Sequence, residues 1–344
     1  MKQRLVVIGN GMAGMRTVEE LLSAVPDKYD ITVFGAEPYG NYNRIMLSSV
    51  LCGEKTIEDI VINNRQWYID NGITLHAGEG KAVVYIDRKK RDVYAQDGTV
   101  AGYDRLLIAT GSKPVIPPIP GNDLQGVISF RDIFDVNKML TYSRSHKKAV
   151  VLGGGLLGLE AANGLVLRGM DVTVIHNNDV LLNRQMDRPA GKLLQTELEQ
   201  RGLKFRMVAN VKQLLGDENG HITGAEFEDG SELECDLFVM AIGVRPNMAL
   251  AQQAGIYCER GIVVNDTLQS YDPSIYAVGE CIQHRGSTFG LVAPLFEQAK
   301  VCANHLSAHG AAEYVTLPAA TKLKVTGINL FSVGDFQGDE HSES

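Results

Sequence analysis

The chain has 344 residues, 44% of them hydrophobic, and a formal net charge of −8 with acidic and basic residues interspersed. Its length suggests about two domains of roughly 150 residues, and its apolar content is ample for packed cores. The charge excludes a clustered basic face for nucleic acid, and no apolar stretch reaches the roughly 18 residues a membrane span needs, so we expect a cytoplasmic protein with neither partner.

The five cysteines, Cys52, Cys235, Cys258, Cys281 and Cys302, lie far apart with no C-x-x-C pair. No zinc site or local iron–sulfur loop is expected, and no metal ligands are assigned. The odd count argues against a disulfide framework, and each cysteine reads as a small apolar residue or bystander rather than a nucleophile.

In chain order, RLVVIGNGMAG (Arg4 to Gly14) is an apolar strand followed by Gly9-x-Gly11-x-x-Gly14. MRTVEELLSA (Met15 to Ala24) has helical spacing, and YDITVFGAE (Tyr29 to Glu37) is a second strand ending in an acid. In such a β-α-β unit the glycines serve a tight turn, close approach of backbone to a pyrophosphate, and close helix packing, while the acid accepts from a ribose diol. RKKR, Arg88 to Arg91, reads as a hairpin turn between VVYID and DVYAQDG. YDRLLIATGSKP (Tyr103 to Pro114) is an apolar strand running into Ala109, Thr110 and Gly111.

The arrangement then repeats. AVVLGGGLLG (Ala149 to Gly158) carries Gly153, Gly155 and Gly158, and a helical LEAANGLVLRGM and the strand DVTVIH follow. His176, Asn177 and Asn178 stand where the acid is expected, and Asp179 lies one residue further, so the choice between NADH and NADPH stays open here. Glu160 follows the third glycine by two and reads as a first-turn residue, a place the helix dipole favours for a carboxylate; Arg16 is its counterpart in the first copy. CDLFVMAIGVRPN (Cys235 to Asn247), with Gly243, repeats the strand-and-turn element, and SIYAVGECI brings Gly279 and Glu280.

The repeats predict an α/β fold of two related dinucleotide-binding domains, the second inserted in the first. Residues 1–114 and 248–311 form one and 115–247 the other. Two such domains on one chain make sense if two cofactors meet, because hydride transfer needs donor and acceptor near contact. Glu37 and Glu280 fit FAD in the first domain, leaving NADH or NADPH for the second.

GNGMAG, ATGSKP, GGGLLGLE, AIGVRPN and YAVGE, in this order, resemble the two-dinucleotide-domain FAD and NAD(P)H oxidoreductases over essentially the whole chain. The resemblance implies two three-layer Rossmann-like domains. It also implies that Arg44 contacts FAD, that Val83 presents backbone to adenine, that Ala293 brings a backbone N–H near the isoalloxazine, and that Glu160 lies beside the nicotinamide. Val83 and Ala293 also fit plain core positions. The paired cysteines of the disulfide reductases are missing, since NYNRIMLSSVLCG holds only Cys52, and Ser49 replaces the lysine of the R-P-x-L-S-K stretch of small-carrier reductases.

YNRIMLSS, GGGLLGLEAA, GECIQHRGSTFGLVAP and ATKLKVTGINLFSVGDFQGDE resemble more closely the N-terminal flavoprotein module of the large subunit of NAD(P)H-dependent assimilatory nitrite reductases. That implies an FAD-dependent NAD(P)H oxidoreductase in which hydride passes to flavin and electrons pass onward. The acceptor implied is an iron–sulfur and sirohaem module on another chain or a missing C-terminal region, with residues 312–344 beginning an incomplete interface domain. The alternatives are a rubredoxin- or ferredoxin-type reductase and a non-catalytic flavin- or nucleotide-binding fragment.

Overall fold

The computed structural model describes residues 2–317, 321–323, 328 and 330–333. Most of the expected interface segment, including more than half of the tail ATKLKVTGINLFSVGDFQGDE, lies outside the described residues. Two compact units result: residues 2–43, 61–113 and 245–317 build the first, and 44–60 and 114–244 build the second with the described C-terminal residues.

Each unit holds a five-stranded parallel sheet. In the first the order across the sheet is Ile275–Ala277, Arg105–Ile108, Gln3–Ile8, Tyr29–Gly35, Thr74–Ala77. In the second it is Val127–Ser129, Leu237–Met240, Lys148–Leu152, Asp171–His176, Lys204–Met207. Parallel strands covered on both faces need apolar side chains in both directions, which is why they read as continuous runs rather than alternations. Leu5 to Ile8, Leu106 to Ile108, Ala149 to Val151 and Leu237 to Val239 are accordingly buried.

In both sheets the strand before the glycine turn is central. The next strand in the chain joins one side of it and a later strand joins the other, so the strand order reverses there, and in open α/β sheets ligands bind beyond the strand ends at such a switch point. The repeat also extends further than the motifs. A three-stranded antiparallel sheet accompanies each parallel one: Val83–Asp87, Asp92–Ala95 and Val100–Gly102 in the first unit, Val211–Gly216, Ile222–Phe227 and Glu232–Glu234 in the second. Arg88 to Arg91 forms the turn of the first hairpin, where Asp87 accepts from the Lys89 and Lys90 N–H groups at 3.0 Å each.

Residues 44–60 precede Val61 in sequence yet pack in the second unit. Their helix, Leu47–Cys52, lies against helix Leu156–Leu167. Arg168 donates to the Leu51 carbonyl at 2.6 Å and to the Val50 carbonyl at 3.1 Å, satisfying groups that a helix end leaves open.

Buried tyrosines brace the first unit. Tyr29 donates its hydroxyl to the Leu306 carbonyl at 2.8 Å, and Tyr68 donates to Asn10 Oδ1 at 2.6 Å. Burial pushes the Tyr29, Tyr68 and Tyr103 phenols up to about 12. In the unfolded chain they ionise near pH 10, so their contribution to stability is intact below about pH 10 and is lost as pH rises toward about 12. Urea unfolding followed by circular dichroism should show stability falling across that window, with a shallower fall for Tyr29→Phe; a profile unchanged by that substitution would contradict the assignment.

Candidate dinucleotide sites

The first glycine turn is fixed by backbone packing. Gly9 follows strand Gln3–Ile8 at φ +114°, a conformation that side chains rarely adopt, and a Cβ there would overlap the Ala109 carbonyl. A Cβ on Gly14 would come within 2.9 Å of the Gly9 carbonyl and of Ala109 Cβ, so the helix rests directly on the turn. Gly11 differs from both. It caps helix Met12–Ala24 with ordinary extended backbone, φ −96° and ψ 179°, no side chain supplies a cap bond, and a Cβ would meet nothing within 4 Å. The first-turn N–H groups thus lack a side-chain cap beside open space, which is an anion cradle.

The three spaced glycines of the second turn repeat these roles. Gly153 lies at φ +126° with the Ala241 carbonyl where a Cβ would be, and a Cβ on Gly158 would overlap the Gly153 carbonyl. Gly155 caps helix Leu156–Leu167 without a side-chain bond, and a Cβ there would again meet nothing within 4 Å. Both cradles fit the pyrophosphate of a dinucleotide.

Around the first turn, Glu37 lies two residues past strand Tyr29–Gly35, half-buried, and accepts from the Tyr42 hydroxyl at 2.7 Å. Thr110 donates to the Asn247 carbonyl at 2.6 Å, and the Asn247 N–H donates to the Gly111 carbonyl at 2.9 Å, so this strand exit is tied to the returning chain. Gly279, at φ +95°, approaches Ala13 in the first turn of the helix. Its N–H donates to Oε1 of the fully buried Gln298 at 2.8 Å, and Glu280 accepts from Ser112 at 2.8 Å. The structure therefore gathers Gly9, Gly11, Gly14, Ala109 and Gly279 at one end of one sheet.

Val83 opens strand Val83–Asp87 and is half-buried, while Ala293 is the second residue of helix Val292–Leu306 and is exposed, so neither is a core position. Arg44 belongs to the second unit, where its Nη1 donates to the Arg131 carbonyl at 2.8 Å. Gly243, at φ +128°, follows strand Leu237–Met240, and its carbonyl accepts from the Val115 N–H at 2.9 Å.

Sequence reasoning missed Asn10 and Tyr68. Asn10 accepts from Tyr68 and donates to the Tyr39 carbonyl at 3.1 Å, joining the glycine turn to the loop that carries Glu37. The available signal was a single polar residue inside GNG where the second copy reads GGG.

Glu160 lies deeper in its helix than the sequence spacing suggests. It is the fifth residue of helix Leu156–Leu167, with no acid in that helix's first turn, because the cap is the second glycine rather than the third. The helix dipole fades within one turn and does not account for a carboxylate that is only 6% exposed. Its charge reaches Cys52: burial above all, then Glu54, and also Glu160 push that thiol up to about 11. Cys52 is therefore protonated at neutral pH, all five cysteines are free thiols, and Cys52 is no thiolate nucleophile. Among the described residues no cluster of three or more His, Cys, Asp or Glu could hold a metal, and no helix is long and apolar enough to cross a membrane.

A family model described as pyridine nucleotide-disulphide oxidoreductase matches residues 3–305. The chain belongs to this family. It is similar to the NAD(P)H nitrite reductase of Bacillus subtilis (strain 168), with 49% identity over 343 residues, 100% of this chain and 42% of that one. It is also similar to the assimilatory nitrate reductase electron transfer subunit of the same organism, with 48% identity across 100% of this chain and 44% of that one. The chain thus spans less than half the length of either relative. Among solved structures, the NADH:rubredoxin oxidoreductase of Clostridium acetobutylicum shares the fold at a TM-score of 0.82 and 27% identity, over 100% of this chain and 85% of that one. Membership makes the chain an oxidoreductase of FAD and NAD(P)H, in keeping with its two cradles.

The contrast between neighbouring glycines can be tested. Gly11→Ala adds a methyl group to open space at a permitted backbone angle, costing the helix cap under about 1 kcal/mol. It should fold like the parent by circular dichroism yet retain FAD at least about tenfold more weakly, since a methyl group there blocks close approach of the phosphates. Unchanged FAD affinity in that variant would remove the cradle assignment.

Proposed function

We propose that this chain is the electron-input module of an assimilatory nitrite or nitrate reductase system, working in the cytoplasm with an iron–sulfur and sirohaem module as its acceptor. The observation that carries the reading is the pair of matched glycine cradles, each at the switch point of its own sheet. The likeness to the two Bacillus proteins supports the choice of system. When bound, FAD supplies the change from two-electron hydride acceptance from NAD(P)H to release of single electrons.

The protein's own residues bind and orient. We assign FAD to the first unit, with Gly9, Gly11 and Gly14 framing the pyrophosphate cradle and Glu37 accepting from the adenosine ribose. Glu280, held by Ser112, takes the ribityl or pyrophosphate region. Ala109, Thr110, Gly111 and Gly279 shape the strand exits around that cradle, and Val83, Ala293 and Arg44 keep the FAD contacts that the family resemblance implies. In the second unit Gly153, Gly155 and Gly158 form the cradle for NAD(P)H beside Gly243. Glu160 accepts from the nicotinamide carboxamide and fixes which ring face is presented. Hydride transfer needs no protein acid or base, so positioning is the protein's main contribution.

Purified protein should be yellow, and rapid mixing with NADH or NADPH should bleach the flavin band near about 450 nm, with electrons passing on to an artificial dye. Folded protein that binds no FAD, or a bound flavin that neither nucleotide bleaches, would defeat the proposal. Loss of one charge-assisted hydrogen bond is worth about 1.5–3 kcal/mol, so Glu160→Ala should keep its FAD and slow flavin reduction about tenfold to a hundredfold. A variant that is less stable yet reduced at the parent rate would show that Glu160 serves packing alone.

A further inference from the structure

We propose that Arg188 equips the second unit to hold the 2′-phosphate of NADPH, so that the chain takes NADPH at least as well as NADH. This rests on the reading that the second unit binds a pyridine nucleotide. Strand register sets the comparison between the copies: Ile8 pairs with Phe34 in one sheet and Leu152 with Ile175 in the other. Gly35 therefore corresponds to His176, and Glu37 corresponds to Asn178. The carboxylate that selects a free ribose diol in such folds is replaced at its own position by an uncharged amide.

The neighbouring loop is held on the glycine turn at both ends. His176 Nδ1 accepts from the Gly154 N–H at 3.2 Å, and the Leu182 N–H donates to the Gly154 carbonyl at 3.1 Å. Between these anchors Asn178 Oδ1 accepts from the Val180 N–H at 3.1 Å, so the loop has a defined form. Asp179 in this loop pairs with Arg188 Nη2 at 2.5 Å. Asp187 is committed elsewhere, capping helix Arg188–Gln200 through the Ala190 N–H at 2.9 Å.

Two consequences point the same way. A lone carboxylate at this end of the site repels a 2′-phosphate, whereas Asp179 has its charge balanced by Arg188. The Arg188 side chain is 70% exposed, and a guanidinium offers planar paired donors that match phosphate better than one carboxylate oxygen.

Titration calorimetry of the flavin-loaded protein with 2′,5′-ADP and with 5′-AMP reads the 2′-phosphate directly, apart from turnover. Tighter binding of 2′,5′-ADP, by about tenfold or more, is expected from one charge-assisted pair. Arg188→Ala should narrow that preference about tenfold, Arg188→Lys should restore part of it, and Asp179→Asn should not narrow it. In rapid mixing, NADPH should bleach the flavin at least as efficiently as NADH. Tighter binding of 5′-AMP, equal weakening of both ligands by Arg188→Ala, or bleaching by NADH alone would overturn the assignment. A folded protein whose flavin is bleached by neither nucleotide would instead defeat the parent reading.

Discussion

The structure depends on one close contact made twice, between a glycine turn and the carbonyl at the exit of the neighbouring strand. Gly9 meets Ala109 and Gly153 meets Ala241 with no room for a side chain between them. Because backbone meets backbone, the helix that follows starts at the sheet's edge with its first N–H groups unshielded by side chains. The positions of the acid loop, the returning strand and the helix axis all follow from that approach.

The two copies differ where the contact leaves freedom. In the first, Asn10 occupies the middle of the turn and Gly35 gives it space, a Cβ there coming within 2.8 Å of Asn10 Cβ. In the second the sizes are exchanged: Gly154 lies in the turn, and His176 and Leu181 press against it at 2.8 Å from where a Cβ would be. The same volume is filled from opposite sides. Asn10 hands the first turn a polar link to Tyr39 and Tyr68, while His176 gives the second a single backbone bond and a ring. One exchange of small and large residues thus separates a polar site from one with an aromatic wall.

Much of this was legible in the sequence, because period and composition carry it. The apolar runs gave the central strands, the glycine spacing gave both turns, and Glu37 stands just past the second strand. Long-range polar pairing left little trace. Arg168 reads as an ordinary surface residue until its donation to Leu51 and Val50 shows that it anchors residues 44–60. The buried chain from Asn41 through Asn63 to Glu19, with bonds of 2.8 and 2.9 Å, draws on three separated segments whose polar residues look solvated one at a time. Glu160 was placed one turn too early because its position was counted from the third glycine, whereas the helix begins after the second.

The strand order has a consequence for synthesis. Strand Ile275–Ala277 forms the edge of the first sheet beside Arg105–Ile108, and it leaves the ribosome only after the whole of 114–244. Until then Leu106, Leu107 and Ile108, all fully buried in the finished protein, lie on an unpaired edge. The inserted unit needs no such late strand for its own sheet, since Val127–Ser129 to Leu237–Met240 supplies every member. Domains generally fold as units while the chain emerges, and open apolar edges invite mispairing. The insert therefore completes its sheet first, and the host must wait with an open seam, which makes the interval before residue 275 the vulnerable stage of its biogenesis.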